Sequence, residues 1–309
     1  MTLNERTYAL ADRLVAAAES LRINVHTIAG ARVVDCGVQA VGGLQAGLAL
    51  ARACLADLGD VALIRGLFGP AVQVQTDHPV AACMASQYAG WQISVGKYFA
   101  MGSGPMRALY GKEELFDHLP GRESAAVAVG VLETRKLPTG EVIAYLSEKL
   151  GISAEKLTLL VAPTASLAGT VQVVARSVET CLHKLHELKF DLTTVVSGYG
   201  IAPLPPPAKD DLAAIGRTND AILYGGRANL WVRCDDEAIA AVGPRVPASA
   251  SSDYGVPFAE IFARYNHDFY KIDPLLFSPW LITFHNLTSG RTFTFGQPNE
   301  AVLRQSFGV

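Results

Sequence analysis

The chain has 309 residues, half of them hydrophobic and 18% charged, with a formal net charge of −3. That length supplies one large or two ordinary domains with a sizeable core. The near-neutral balance, with no Lys/Arg-rich run, excludes a basic nucleic-acid or membrane-surface binder, and the low charge points to extra buried surface, as in an oligomer or a large closed core.

The N-terminus, "MTLNERTYALADRL", is charged and amphipathic and lacks the apolar region of a signal peptide. Residues 4–21 read as one helix. Residues 25–37 read as a hairpin turning at Ala29-Gly30, followed by a small-residue helix over 44–58. "AVQVQT" (71–76) alternates as a half-buried strand does, and 79–88 is a helix candidate closed by Gly90. "AAVAVGVLE" (125–133) and "LTLLVA" (157–162) read as buried strands. Between them "PTGEVIAYLSEKLG" (138–151) reads as a helix capped by Thr139 and stopped at Gly151. One long helix is expected over 167–188, then a strand over 193–200.

"PLPPPA" (203–208) is a stiff connector. It suggests a first α/β domain over 1–200 and a second over 201–309, with chain exchange between them. The last third holds strands at 229–234 and 280–285, the latter pairing with 291–295. The pattern is α/β with α+β character. Residues 78–96 and 157–175 carry no charge, but their Pro, Gly, Gln and hydroxyl content does not suit a membrane helix. The five cysteines are odd in number and have no CxxC spacing. They read as buried apolar residues in a cytoplasmic protein, not as disulfides or zinc ligands.

The charge-free run ends at "VVARSVETCLHKLHEL", where Arg176 and Glu179 arrive together. On a continuous helix they form an i,i+3 pair on the face that also carries Gln172, His183 and His186. A solvated ion pair of about 0.3 kcal/mol is the plain reading. A cleft-lining carboxylate acting as a general base beside an arginine is the functional one. A metal set of Glu179, His183 and His186 is a third.

"GKYFAMGSGPMRAL" (96–109) places Gly102, Ser103 and Gly104 ahead of Pro105. Such amides at a helix N-terminus suit an anion or carbonyl, or the loop is a tight turn. Asn219 and Asp220, beside a strand, suit the donor and acceptor edges of a heterocycle, or else a cap. No GxSxG, HExxH or CxxC motif supports a serine nucleophile or metal hydrolysis.

Six stretches together resemble one family, methenyltetrahydromethanopterin cyclohydrolase. They are "VVDCGV" (33–38), "AGWQISVGKYFAMGSGPMRAL" (89–109), "LLVAPTASLAGTVQVVARSVET" (159–180), "TNDAILYGGR" (218–227), "SASSDYGVPFAEIF" (249–262) and "DFYKIDPLLFSP" (268–279). The resemblance implies a two-domain fold with an interdomain substrate cleft and a homotrimer. It implies hydrolysis of the methenyl bridge of a tetrahydromethanopterin to the N5-formyl compound, in one-carbon metabolism and methylotrophy, with no metal or redox cofactor. Glu179 and Arg176 match the catalytic pair. Lys97, Ser103, Gly104, Thr164, Asn219 and Asp220 are the substrate-binding candidates. A folate-type pterin substrate and a non-catalytic pterin-binding protein remain as alternatives.

Overall fold

A computed structural model describes the whole chain apart from the side chain of Tyr270. In order come α1 (Leu3–Ala16), α2 (Ala18–Leu21), β1 (Asn24–Ile28), β2 (Ala31–Asp35), α3 (Leu44–Cys54), β3 (Gly59–Gly66) and β4 (Gly69–Thr76). Next are β5 (Trp91–Val95), β6 (Tyr98–Ser103), α4 (Met106–Tyr110), β7 (Ala128–Glu133), α5 (Gly140–Leu150), β8 (Leu157–Ala162), α6 (Leu167–Val174) and α7 (Ser177–Glu187). The remainder is β9 (Val195–Pro203), α8 (Asp211–Leu223), β10 (Arg227–Val232), α9 (Asp236–Val242), α10 (Phe258–Arg264), β11 (Leu281–Asn286), β12 (Thr292–Phe295) and α11 (Glu300–Phe307). The two sheets and mixed helices make an α/β fold, as the alternation of elements indicates.

The chain divides into two compact units. Unit 1 is Met1–Gly59 with Val80–Gln172, and unit 2 is Asp60–Pro79 with Val173–Val309. The boundary suggested near residue 200 falls inside unit 2, where Pro203 is the last residue of β9.

Unit 1 is built on a sheet of order β1-β2-β8-β7-β6-β5. Its middle three strands, β2, β8 and β7, run parallel. A parallel strand covered on both faces is largely apolar, and β8 is, its one polar residue, Thr158, accepting from Arg32 Nε (3.0 Å). Its Leu157, Leu159 and Val161 pack with Val142, Ile143 and Leu146 of α5. Its Leu160 and Ala162 face the opposite way, onto Leu10 and Leu14 of α1 and Leu50 and Cys54 of α3. Thr139 and Gly151 begin and end α5 as expected. At the end of β2 the buried Asp35 carboxylate accepts the N–H groups of Gly37, Val38, Gln39 and Ala40 (2.6–2.9 Å), which folds "VVDCGV" into a tight turn. The helix candidate over 79–88 is wide-turned. The Tyr88 N–H reaches back five residues to the Cys83 carbonyl (2.8 Å).

Unit 2 has a sheet of order β12-β11-β10-β9-β4-β3. β10 and β11 run parallel, while the β9–β10, β4–β9 and β11–β12 pairs are antiparallel. Ala228, Leu230, Val232, Ile282 and Phe284 turn one face inward, and α7 packs on β9 and β10 there. On the other face Trp231 stacks on His285 with centroids 5.0 Å apart. Strand β3 was not legible in the sequence, because "GDVALIRG" does not alternate and follows the shortened α3. Four of the five cysteines are buried and all are free. No helix among the described residues is long and apolar enough to cross a membrane.

Candidate active site

The long helix expected over 167–188 is two helices. The break falls at Ala175 and Arg176. The Arg176 backbone (φ −94°, ψ 12°) leaves the helical region, and Arg176 becomes the N-cap of α7. Its N–H donates to the Val173 carbonyl three residues back (3.2 Å), while its own carbonyl accepts the Thr180 N–H (2.8 Å). Glu179 therefore lies in the first turn of α7, where helix N–H groups favour an anion by about 0.3–1 kcal/mol at the surface and more when buried.

The solvated-face reading of this pair does not hold. Arg176 is 7% exposed and Glu179 3%. "VVSGYG" gives β9 two glycines where α7 crosses. A Cβ at Gly200 would lie 2.2 Å from Ser177 Oγ, and one at Gly198 would lie 2.7 Å from Val178 Cγ1. The first turn of α7 sits directly on the bare backbone through Ser177 and Val178.

Further along α7, Lys184 is fully buried and donates to the Leu275 carbonyl. Burial pulls its ammonium down to about 8, against the opposing pull of Asp273. His183 faces Glu187 at 3.8 Å. No group of three or more His, Cys, Asp or Glu side chains that could hold a metal occurs among the described residues, the Glu179–His183–His186 set included.

In unit 1, Ser103 and Thr164 are two ends of one buried polar chain. Ser103 Oγ meets Cys54 Sγ (3.7 Å), and Cys54 Sγ donates to Gln172 Oε1 (3.5 Å). Gln172 Nε2 donates to Glu133 Oε2 (3.3 Å), and the Thr164 hydroxyl donates to Glu133 Oε1. Glu133 and Gln172 were not singled out as site residues in the sequence. The available signal was Glu133 itself, the lone charge closing the apolar run of β7 at the carboxyl end of a parallel strand, where α/β sheets hold their ligands.

The glycine loop differs from its expected form. Gly102 and Ser103 belong to β6, opposite Leu132 and Val131. Gly104 has a positive φ of 86°, but its N–H donates to the Ser86 carbonyl (2.8 Å). α4 follows for only five residues. Lys97 is exposed in the β5–β6 turn, at the other end of β6.

Asn219 and Asp220 lie within α8, not beside a strand. Asn219 Nδ2 donates to the Ile215 carbonyl (2.8 Å). The buried Asp220 carboxyl accepts the Phe258 N–H (2.8 Å) and the Ser306 hydroxyl (2.6 Å), tying α10 and α11 to α8. Burial lifts its pKa to about 7 despite those two donors.

Comparison with known proteins covers almost the whole chain. Residues 2–307 match the family described as Cyclohydrolase (MCH). The chain is 54% identical to the methenyltetrahydromethanopterin cyclohydrolase of Rhodopirellula baltica, over 92% of this chain and 88% of that one. It is 48% identical to the enzyme of the same name from Methylobacillus flagellatus, over 99% and 95%, and 43% identical to that of Methanosarcina barkeri, over 100% and 99%. With a match of this length and identity, the chain belongs to the methenyltetrahydromethanopterin cyclohydrolase family.

Proposed function

We propose that the protein is a cyclohydrolase that interconverts 5,10-methenyl-tetrahydromethanopterin plus water with N5-formyl-tetrahydromethanopterin. The whole-chain family match and the names of its relatives support this reaction. The observation that carries the mechanism is the buried carboxylate of Glu179, set in the first turn of α7 directly after the buried Arg176.

The methenyl bridge is an amidinium, and its carbon is already electrophilic. The enzyme needs a positioned water and a base. Glu179 takes a proton from water as its oxygen bonds to the bridging carbon. The carbon–N10 bond then breaks, N10 receives the proton that Glu179 holds, and the second water proton is released as the formyl group forms. A carboxylate isolated in a desolvated place tends to take a proton and lose its basicity. Arg176 and the α7 amides oppose that.

We further propose that catalysis needs no metal or redox cofactor, and that the protein works in the cytoplasm as a homotrimer. Absorbance of the methenyl compound, followed on adding the purified chain, tests the reaction. No loss of absorbance beyond the uncatalysed rate overturns it.

A further inference from the structure

Glu133 ends β7 with its side chain half-buried, and its orientation is fixed from two sides. The Thr164 hydroxyl holds Oε1 and the Gln172 amide holds Oε2. Both donors are themselves held in place. The Thr164 carbonyl accepts the Thr170 hydroxyl of α6 (2.9 Å), and Gln172 Oε1 accepts from Cys54. A carboxylate offers about four acceptor sites, so two remain for a ligand. Thr164, Gln172, Cys54 and Ser103 are at most 3% exposed, so Glu133 is the open end of this chain.

What lies beside it is apolar and uncovered. β6 pairs Met101 directly opposite Glu133, and Phe99 is two residues along on the same face. Phe99 is 54% exposed although it sits within a strand. The Thr134 hydroxyl clamps the Phe99 carbonyl (2.9 Å), so that stretch of β6 is held. A flat apolar wall beside an oriented carboxylate suits a planar ring that presents two adjacent N–H donors in its plane. The 2-amino-4-oxopyrimidine ring of a pterin has that edge, in its N3–H and 2-amino groups.

We propose that Glu133 is the specificity residue that accepts the N3–H and 2-amino donors of the substrate's pterin, with Phe99 and Met101 as the surface on which the ring lies. This rests on the reading of the substrate as a pterin. Glu133 grips the pterin ring and not the bridging carbon, so it acts on binding and not on the chemical step.

The test compares the parent chain with Glu133→Gln and Phe99→Ala, each against the methenyl substrate and against an analogue lacking the 2-amino group. Glu133→Gln should raise KM by about 10- to 100-fold, the value of hydrogen bonds to a charged acceptor, with kcat within a few-fold of the parent. The parent should discriminate against the analogue to a similar degree, and Glu133→Gln should discriminate little. Equal discrimination by both proteins, or a fall in kcat at constant KM, overturns the proposal. A lower melting temperature with unchanged KM makes Glu133 a purely structural acceptor and also overturns it. Phe99→Ala alters an exposed side chain and covers the case in which Glu133→Gln does not fold. It should raise KM severalfold at an unchanged melting temperature, and an unchanged KM counts against the proposal. If the parent fails to turn over the methenyl compound, the reaction reading fails separately. Calorimetry with the tetrahydropterin then decides the subsite: weaker binding by Glu133→Gln supports it and equal binding removes it.

Discussion

Replacing Glu179 by Gln keeps the shape of the side chain and removes its basicity. Turnover should fall by roughly 10²-fold or more, with substrate binding less affected, and near-parental turnover in a steady-state assay would take Glu179 out of the mechanism. Arg176→Met separates tuning from grip. If Arg176 keeps Glu179 ionised, its loss raises the Glu179 pKa, and activity drops at neutral pH but recovers in part as pH rises. The acidic limb of the pH–rate profile then moves upward, whereas a parallel loss at every pH assigns Arg176 to positioning. The pair was legible in the sequence because two charges ended a long neutral run. Their burial was not, since an i,i+3 spacing looks the same on a wet face and a dry one. Glu133 was missed because a single charge at the end of a strand has no spacing to betray it.

Elements place these residues, and small contacts between elements should control them. Gly200→Ala puts a Cβ 2.2 Å from Ser177 Oγ and 3.0–3.1 Å from Val178 Cγ2 and Ser177 Cβ, so the Ser177 hydroxyl must turn away and the first turn of α7 must give by a few tenths of an ångström. We expect a loss of about 1–3 kcal/mol in stability, together with lower kcat, because Glu179 rides on that turn. Removing the clashing oxygen with Ser177→Ala should restore part of both, and a double variant no better than Gly200→Ala would refute this account in denaturation and rate assays. Asp220 predicts a pH effect at the α8–α10–α11 junction. Its folded pKa near 7 lies above the ordinary 3.8, so the folded chain keeps a proton that the unfolded chain releases. Its contribution is complete below about pH 4 and is lost as pH climbs to about 7. Asp220→Asn removes that dependence, so its melting temperature relative to the parent should rise from pH 4 to pH 7; a constant difference would count against it. Apolar strands such as β8 and the capped α5 could be read from pattern alone. The split of α6 from α7 could not, because no Pro or Gly marks Ala175-Arg176.

For the whole molecule, a homotrimer should show a solution mass of three times 32.9 kDa by light scattering, and a monomeric mass would end that proposal. Activity should survive exhaustive chelation, and a loss restored by zinc would contradict metal-free catalysis. The α/β class followed from the sequence, as did single elements such as β1, β2, β7, α5 and β8. The division into units did not, since contacts between distant segments decide it and no proline cluster marks them. The chain passes between units after Gly59, after Pro79 and after Gln172, so neither unit is one uninterrupted piece of sequence. This has a consequence for synthesis. β4 leaves the ribosome long before β9, its partner from Thr76↔Gly198 to Ala71↔Pro203. β2 likewise waits for β8. Both sheets close late through non-local pairings, which are slow to form and leave apolar strand edges bare meanwhile. Truncation before β9 therefore yields a chain with an open, sticky β3–β4 ribbon, so the chain assembles as a whole and β9 decides whether the strands made before it stay in solution.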